Sequence, residues 1–173
     1  MTNGNEEETQ DLQITRIIAA PLGTLWNSWT NCDELKRWWG PKGYKSPDCR
    51  IDLRVGGRFI FAMQAPAELG GRVSYTAGEY ERIMPGRSLE FTQYISDKDG
   101  NRIEPAQAGL PADFPKEMHT VVSFEAKGSM DQLITELSLT ISGWPKGPAF
   151  EQSLQGWTQS LDKLIEMVTR KQT

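Results

Sequence analysis

The sequence predicts an α+β fold, a curved antiparallel sheet wrapped around one long C-terminal helix, with two short helices after the first strand. Three observations predict it. Residues 44–141 read almost wholly as alternating apolar segments broken by turn residues. Residues 147–171 carry one apolar stripe at near-heptad spacing, through Phe150, Leu154, Trp157, Leu161, Leu164 and Val168. Between an Ile-rich opening segment and the first turn of the sheet lie two short amphipathic stretches rich in tryptophan.

LQITRIIAA, residues 12–20, alternates weakly and reads as the first strand. Pro21 suits a helix start, and Leu22, Leu25, Trp26 and Trp29 then fall at i, i+3, i+4 and i+7. Asn31 and Asp33 are cap-type residues, so DELKRWW reads as a second short helix stopped by Gly40-Pro41. Leu35, Trp38 and Trp39 share its apolar stripe, and so short a helix must lie on a broad apolar surface. Adjacent rings of this size seldom both reach full burial, so one of the pair is expected at an edge.

The strands follow in order. Cys49, Ile51, Leu53 and Val55 alternate, then Gly56-Gly57 turns the chain. Phe59, Phe61 and Met63 share a face of the next strand, and VSYTAGEYERI follows with Gly78 inside it. Pro85-Gly86 leads into a strand facing inward through Leu89, Phe91 and Gln93. Met118, Thr120, Val122 and Phe124, then Leu133, Leu137, Leu139 and Ile141, complete an antiparallel meander. The long segment 97–116 carries Leu110 and Phe114 among its prolines and reads as an ordered loop of the kind often used for function. Gly156 interrupts the last helix, as expected where another backbone or a bound molecule passes close.

Composition bounds the function. The 173 residues suffice for one domain, expected at 12–169 behind a disordered acidic tail at 1–11. The net charge of −4 lies wholly in that tail, through Glu6, Glu7, Glu8 and Asp11. The balanced remainder gives no global field for nucleic acid, and no apolar run could enter a membrane as a span. Locally, residues 36–58 hold seven basic and two acidic residues, by default a solvated face. Asp52, Arg54 and Arg58 are expected to form weak surface ion pairs there. The N-terminus lacks the marks of a secretory signal, so Cys32 and Cys49 are expected as free thiols in a reducing cytoplasm, with Cys49 a small buried hydrophobe.

Several motifs taken together resemble a known family. Pro21–Trp26, WWGPKGY, DLRVGGRF (Asp52–Phe59) and GWTQSLDKL (Gly156–Leu164) are similar to the START-like, helix-grip (SRPBCC, Bet v 1-like) superfamily. Within it they resemble bacterial homologues of the C-terminal domain of the activator of the heat-shock protein 90 ATPase. The resemblance spans nearly all of residues 12–169. It implies a cavity between sheet and helix, and it supplies no fixed catalytic residues. The superfamily includes lipid carriers, cyclases and co-chaperone domains.

The expected function is therefore binding of a small apolar molecule, as carrier or sensor without catalysis. The candidate ligand-binding residues are Trp38, Trp39, Phe59, Phe61, Met63, Tyr80, Phe91, Gln93, Trp157 and Leu161. A cyclase or hydratase using polar groups such as Tyr80, Gln93 or Glu90 is the first alternative, and a protein-interaction module is the second. No nucleotide-binding, hydrolase or metalloprotease motif occurs, and no cofactor or metal is expected. The lone histidine, His119, has the parity of the outer face and reads as a surface residue. The chain is expected to be a monomer or homodimer.

Overall fold

The computed structural model describes residues 8–170. The order is β1 (Thr9–Ile18), α1 (Leu22–Thr30), α2 (Cys32–Leu35), β2 (Cys49–Ile51), β3 (Arg58–Gln64), β4 (Val73–Met84), β5 (Ser88–Ser96), β6 (Met118–Ala126), β7 (Thr135–Pro145) and α3 (Pro148–Arg170). The strands form one antiparallel sheet in the order β1-β7-β6-β5-β4-β3-β2. β2 to β7 form a meander, in which a long loop at 97–117 joins β5 to β6, and β1 returns to pair with β7. Residues 9–11, expected in the tail, belong to β1, with Thr9 opposite Pro145. The mobility expected of residues 3–7 lies outside the described residues.

The meander departs from its sequence pattern at two places: β7 begins only at Thr135, which leaves Leu133 exposed in the preceding turn, and β2 stops early. β2 ends at Ile51, although Leu53 and Val55 continue the alternation. A tight turn takes over, with the amide of Gly57 donating to Arg54 O and that of Asp52 to Arg58 O. Leu53 and Val55 are exposed as a result. Within β4, Gly78 answers a packing need. A Cβ there would lie 2.4 Å from Phe59 Cζ and 2.0 Å from Thr92 O, so only glycine lets the Phe59 ring close over the strand.

α1 begins after Pro21 and buries Leu25 and Trp29. α2 is only one turn long, capped by Asn31, whose side-chain oxygen accepts from the amides of Asp33 and Glu34. The chain leaves regular helix after Leu35 in a tighter turn, which sends the two tryptophans in different directions. Trp38 packs back on Trp29, with ring centroids 4.8 Å apart, and its indole N–H donates to Ser28 O at 2.9 Å. Trp39 packs forward on Phe61 and Trp157. Both rings are buried, against the expectation that adjacent rings would not be.

The expectation of two free thiols is wrong. Cys32 and Cys49 form a disulfide, with Cα atoms 5.5 Å apart, tying the start of α2 to β2. Cys49 is half-buried and not a core hydrophobe. With both thiols bonded, nothing in the cysteines points to a reducing compartment. No helix among the described residues is long and apolar enough to cross a membrane.

α3 lies on the sheet at its β1–β7 side. Leu161, Leu164 and Val168 on its C-terminal half are buried there, while Leu154 and Trp157 on its N-terminal half are only partly buried. Towards β3, β4 and β5 the helix stands off, and a cavity remains.

Candidate functional site

The cavity has a volume of about 340 Å³, within the range of small-molecule sites. Its floor is the inward face of the sheet, with Met63, Ile95, Met118 and Trp144. Its roof is the first half of α3, with Ser153, Gly156 and Trp157. One side is the turn after Trp39, through Gly40, Pro41 and Tyr44. The other is the long loop between β5 and β6, through Leu110, Pro111 and Phe114. Gly156 faces this turn, and a Cβ there would sit 3.4 Å from Pro41 Cγ.

Four of the sequence-predicted residues line the cavity: Trp39, Met63, Gln93 and Trp157. Trp39 and Trp157 meet edge to face, with centroids 5.3 Å apart. The other six lie elsewhere. Trp38 is walled in behind Trp39, and Leu161 is buried further along the helix. Phe59, Phe61, Tyr80 and Phe91 do face inward, but they fill the sheet's other end by packing on one another. Phe59 lies 4.6 Å from Phe61 and 5.2 Å from both Tyr80 and Phe91. Glu90 lies on the outer face and takes no part in the cavity, because Leu89 and Phe91 hold the inward positions.

The polar groups that reach the cavity are neutral. Gln93 is buried, and its Nε2 donates to Thr120 Oγ1 at 2.8 Å, which fixes the amide against the floor. Ser74, Thr76 and Ser160 contribute hydroxyls, and the Ser160 hydroxyl donates to Gly156 O. Among the described lining residues there is no carboxylate, imidazole, thiol or ammonium group. Tyr80, offered by the sequence as a polar cavity group, is instead sealed in the core. Its hydroxyl has no hydrogen-bond partner among the described residues, and burial pushes its pKa far above the ordinary value.

Sequence reasoning missed Lys163. Its ammonium donates to three main-chain carbonyls, Gly40 O at 2.9 Å, Tyr44 O at 3.1 Å and Pro41 O at 3.3 Å. The cavity's turn is thus tethered to α3 by one cation. Burial lowers the Lys163 pKa from its ordinary value. A lysine one position before the buried Leu164 was the available signal. Of the surface ion pairs expected of Asp52, Arg54 and Arg58, the one between Arg54 and Asp52 forms, within the β2–β3 turn, and Arg58 makes hydrogen bonds instead. Arg54 Nε lies 2.8 Å from an Asp52 carboxylate oxygen, and Arg58 donates to the Tyr94 hydroxyl and to Gly100 O.

With this architecture in place, comparison with known proteins decides the family. The model of the activator of Hsp90 ATPase homolog 1-like protein family matches residues 19–169. The chain belongs to that family. Solved structures agree on the fold. The AHSA1 protein of Silicibacter pomeroyi has a TM-score of 0.71 at 23% identity, covering 94% of this chain and 99% of that one. Protein CV1439 of Chromobacterium violaceum has a TM-score of 0.69 at 25% identity, covering 91% and 96%. The AHSA1-like protein of Aeromonas hydrophila has a TM-score of 0.64 at 20% identity, covering 92% and 93%. Among curated proteins no significant match is found. The family membership confirms the resemblance read from WWGPKGY and GWTQSLDKL, and with it the helix-grip architecture.

Proposed function

We propose that this family member binds a small, mostly apolar molecule in the cavity between sheet and α3, as a carrier or sensor. The observation that carries the reading is the lining itself. Apolar and aromatic side chains form most of the wall, and neutral hydroxyl and amide groups supply a few points of orientation. Such groups select a ligand by hydrogen bonding. The energetic scale is modest. Burying about 250 Å² of apolar ligand surface at about 25 cal/mol per Å² contributes about 6 kcal/mol before the costs of association. Added hydrogen bonds then place affinity in the micromolar range or weaker.

The reading is tested with 1-anilinonaphthalene-8-sulfonate as an apolar probe. Energy transfer from tryptophan to the probe should saturate, and Trp39→Phe together with Trp157→Phe should reduce it strongly. Weak, non-saturating probe fluorescence that ignores both substitutions would remove the support.

A further inference from the structure

The sheet's outer face, opposite the cavity, carries a group of side chains that the ligand reading does not use. Glu81 on β4, Glu90 on β5 and His119 on β6 converge across three neighbouring strands. His119 Nε2 lies 2.9 Å from Glu90 Oε1 and 3.3 Å from Glu81 Oε2, and one donor atom from each residue lies within 4.8 Å of the others. Successive members of the group are 9 and 29 positions apart in the chain, so spacing alone does not reveal it.

From this convergence we infer that Glu81, Glu90 and His119 form a site for a divalent first-row transition-metal ion, such as Zn²⁺ or Co²⁺. Bonds of roughly 2.0–2.2 Å to one ion set its ligand atoms roughly 2.8–3.6 Å apart. Both histidine–carboxylate separations already fall in that interval. Imidazole nitrogen among the donors selects a transition metal over Mg²⁺ or Ca²⁺.

Two further features aim the donors. The β4–β5 register shifts between Tyr80 and Arg82, so Glu81 is the extra residue of a β-bulge. Glu81 and Arg82 are therefore consecutive and both exposed, and the bulge turns the Glu81 carboxylate towards β5 and β6. Thr92, directly opposite His119 in the β5–β6 register, donates its hydroxyl to Glu81 Oε1. A fixed carboxylate of this kind is the outer-shell support that metal ligands use. Among the described residues, no lysine or arginine lies within ion-pair distance of either carboxylate. A divalent ion would relieve the repulsion between them with the imidazole neutral. The three side chains are 31–45% exposed, which leaves coordination positions open to water.

The test uses tag-free, EDTA-treated, full-length protein titrated with CoCl₂ and followed by ligand-field absorption. A band should grow and saturate at one equivalent, and Zn²⁺ should displace it. His119→Ala and Glu90→Gln should each weaken cobalt binding about tenfold or more, and Thr92→Val about tenfold. The substitutions lie on the solvated face, and circular dichroism checks that each variant folds. Absence of a band at millimolar cobalt would overturn the site. So would a band of unchanged affinity in both His119→Ala and Glu90→Gln, since cobalt would then be bound elsewhere.

Discussion

Lys163→Met removes one ammonium and keeps the side chain's apolar length. In the structure that ammonium holds three carbonyls of the turn 40–44, at 2.9, 3.1 and 3.3 Å. A hydrogen bond to a charged group nets about 1.5–3 kcal/mol when buried. Here three bonds share one half-exposed donor, so they do not add, and the expected loss is about 2–3 kcal/mol. In a chain of this size each kcal/mol moves Tm by about 2–4 °C, so a fall of about 5–10 °C is expected. Urea denaturation measures the loss directly. Because Gly40, Pro41 and Tyr44 wall the cavity, the same variant should release an apolar probe faster in stopped flow. The pH dependence supplies a second check. Burial holds the folded-state pKa of Lys163 below its ordinary 10.5. Between those two values the unfolded chain keeps a proton that the native chain has lost, so Lys163 contributes stability that rises with pH there. Below the folded value both forms hold the proton and the slope vanishes. Lys163→Met should abolish that alkaline rise. A loss under about 0.5 kcal/mol, with probe release unchanged, would refute the tether.

Tyr80→Phe deletes a buried hydroxyl without a described partner, so stability should hold or rise by up to about 1 kcal/mol in urea denaturation. Its raised pKa acts opposite to Lys163. Above pH 10 the unfolded chain loses a proton that the native Tyr80 keeps, so stability falls with pH, and the variant should lose that fall. Destabilisation by more than about 1 kcal/mol would mean the hydroxyl has a partner. Gly156→Ala should stabilise α3 by about 0.5–1 kcal/mol, since the new Cβ makes an ordinary contact 3.4 Å from Pro41; a lowered Tm would show that the turn cannot yield. Replacing both Cys32 and Cys49 by serine opens a link across 17 residues and should cost about 3 kcal/mol, read from the urea midpoint; a loss under about 1 kcal/mol would contradict it.

Much of the fold was legible because period two and the helical stripe are local signals. Phe59, Phe61, Leu89, Phe91, Met118 and Val122 all face inward as their alternation predicts. Alternation does not see turns, which is why Leu53 and Val55 misled. Nor does it say which inward positions face a void. Phe59, Tyr80 and Phe91 have the same parity as Gln93, yet only Gln93 reaches the cavity, because the helix stands off there and the aromatic rings fill the space elsewhere. The remaining misses depend on approach between distant segments. The Cys32–Cys49 bond, the Lys163 tether and the Glu81–Glu90–His119 cluster each join elements whose sequence spacing says nothing about their distance.

The central claim is that the cavity holds a small molecule, and native mass spectrometry of protein purified from its own host tests it most directly. The wild-type chain should carry a noncovalent adduct of small mass that dissociates on collisional activation. A Ser153→Phe variant, which places a ring in the cavity from the roof helix, should be folded and free of it. A wild-type spectrum at the bare chain mass, or an equal adduct on the folded variant, would contradict the account.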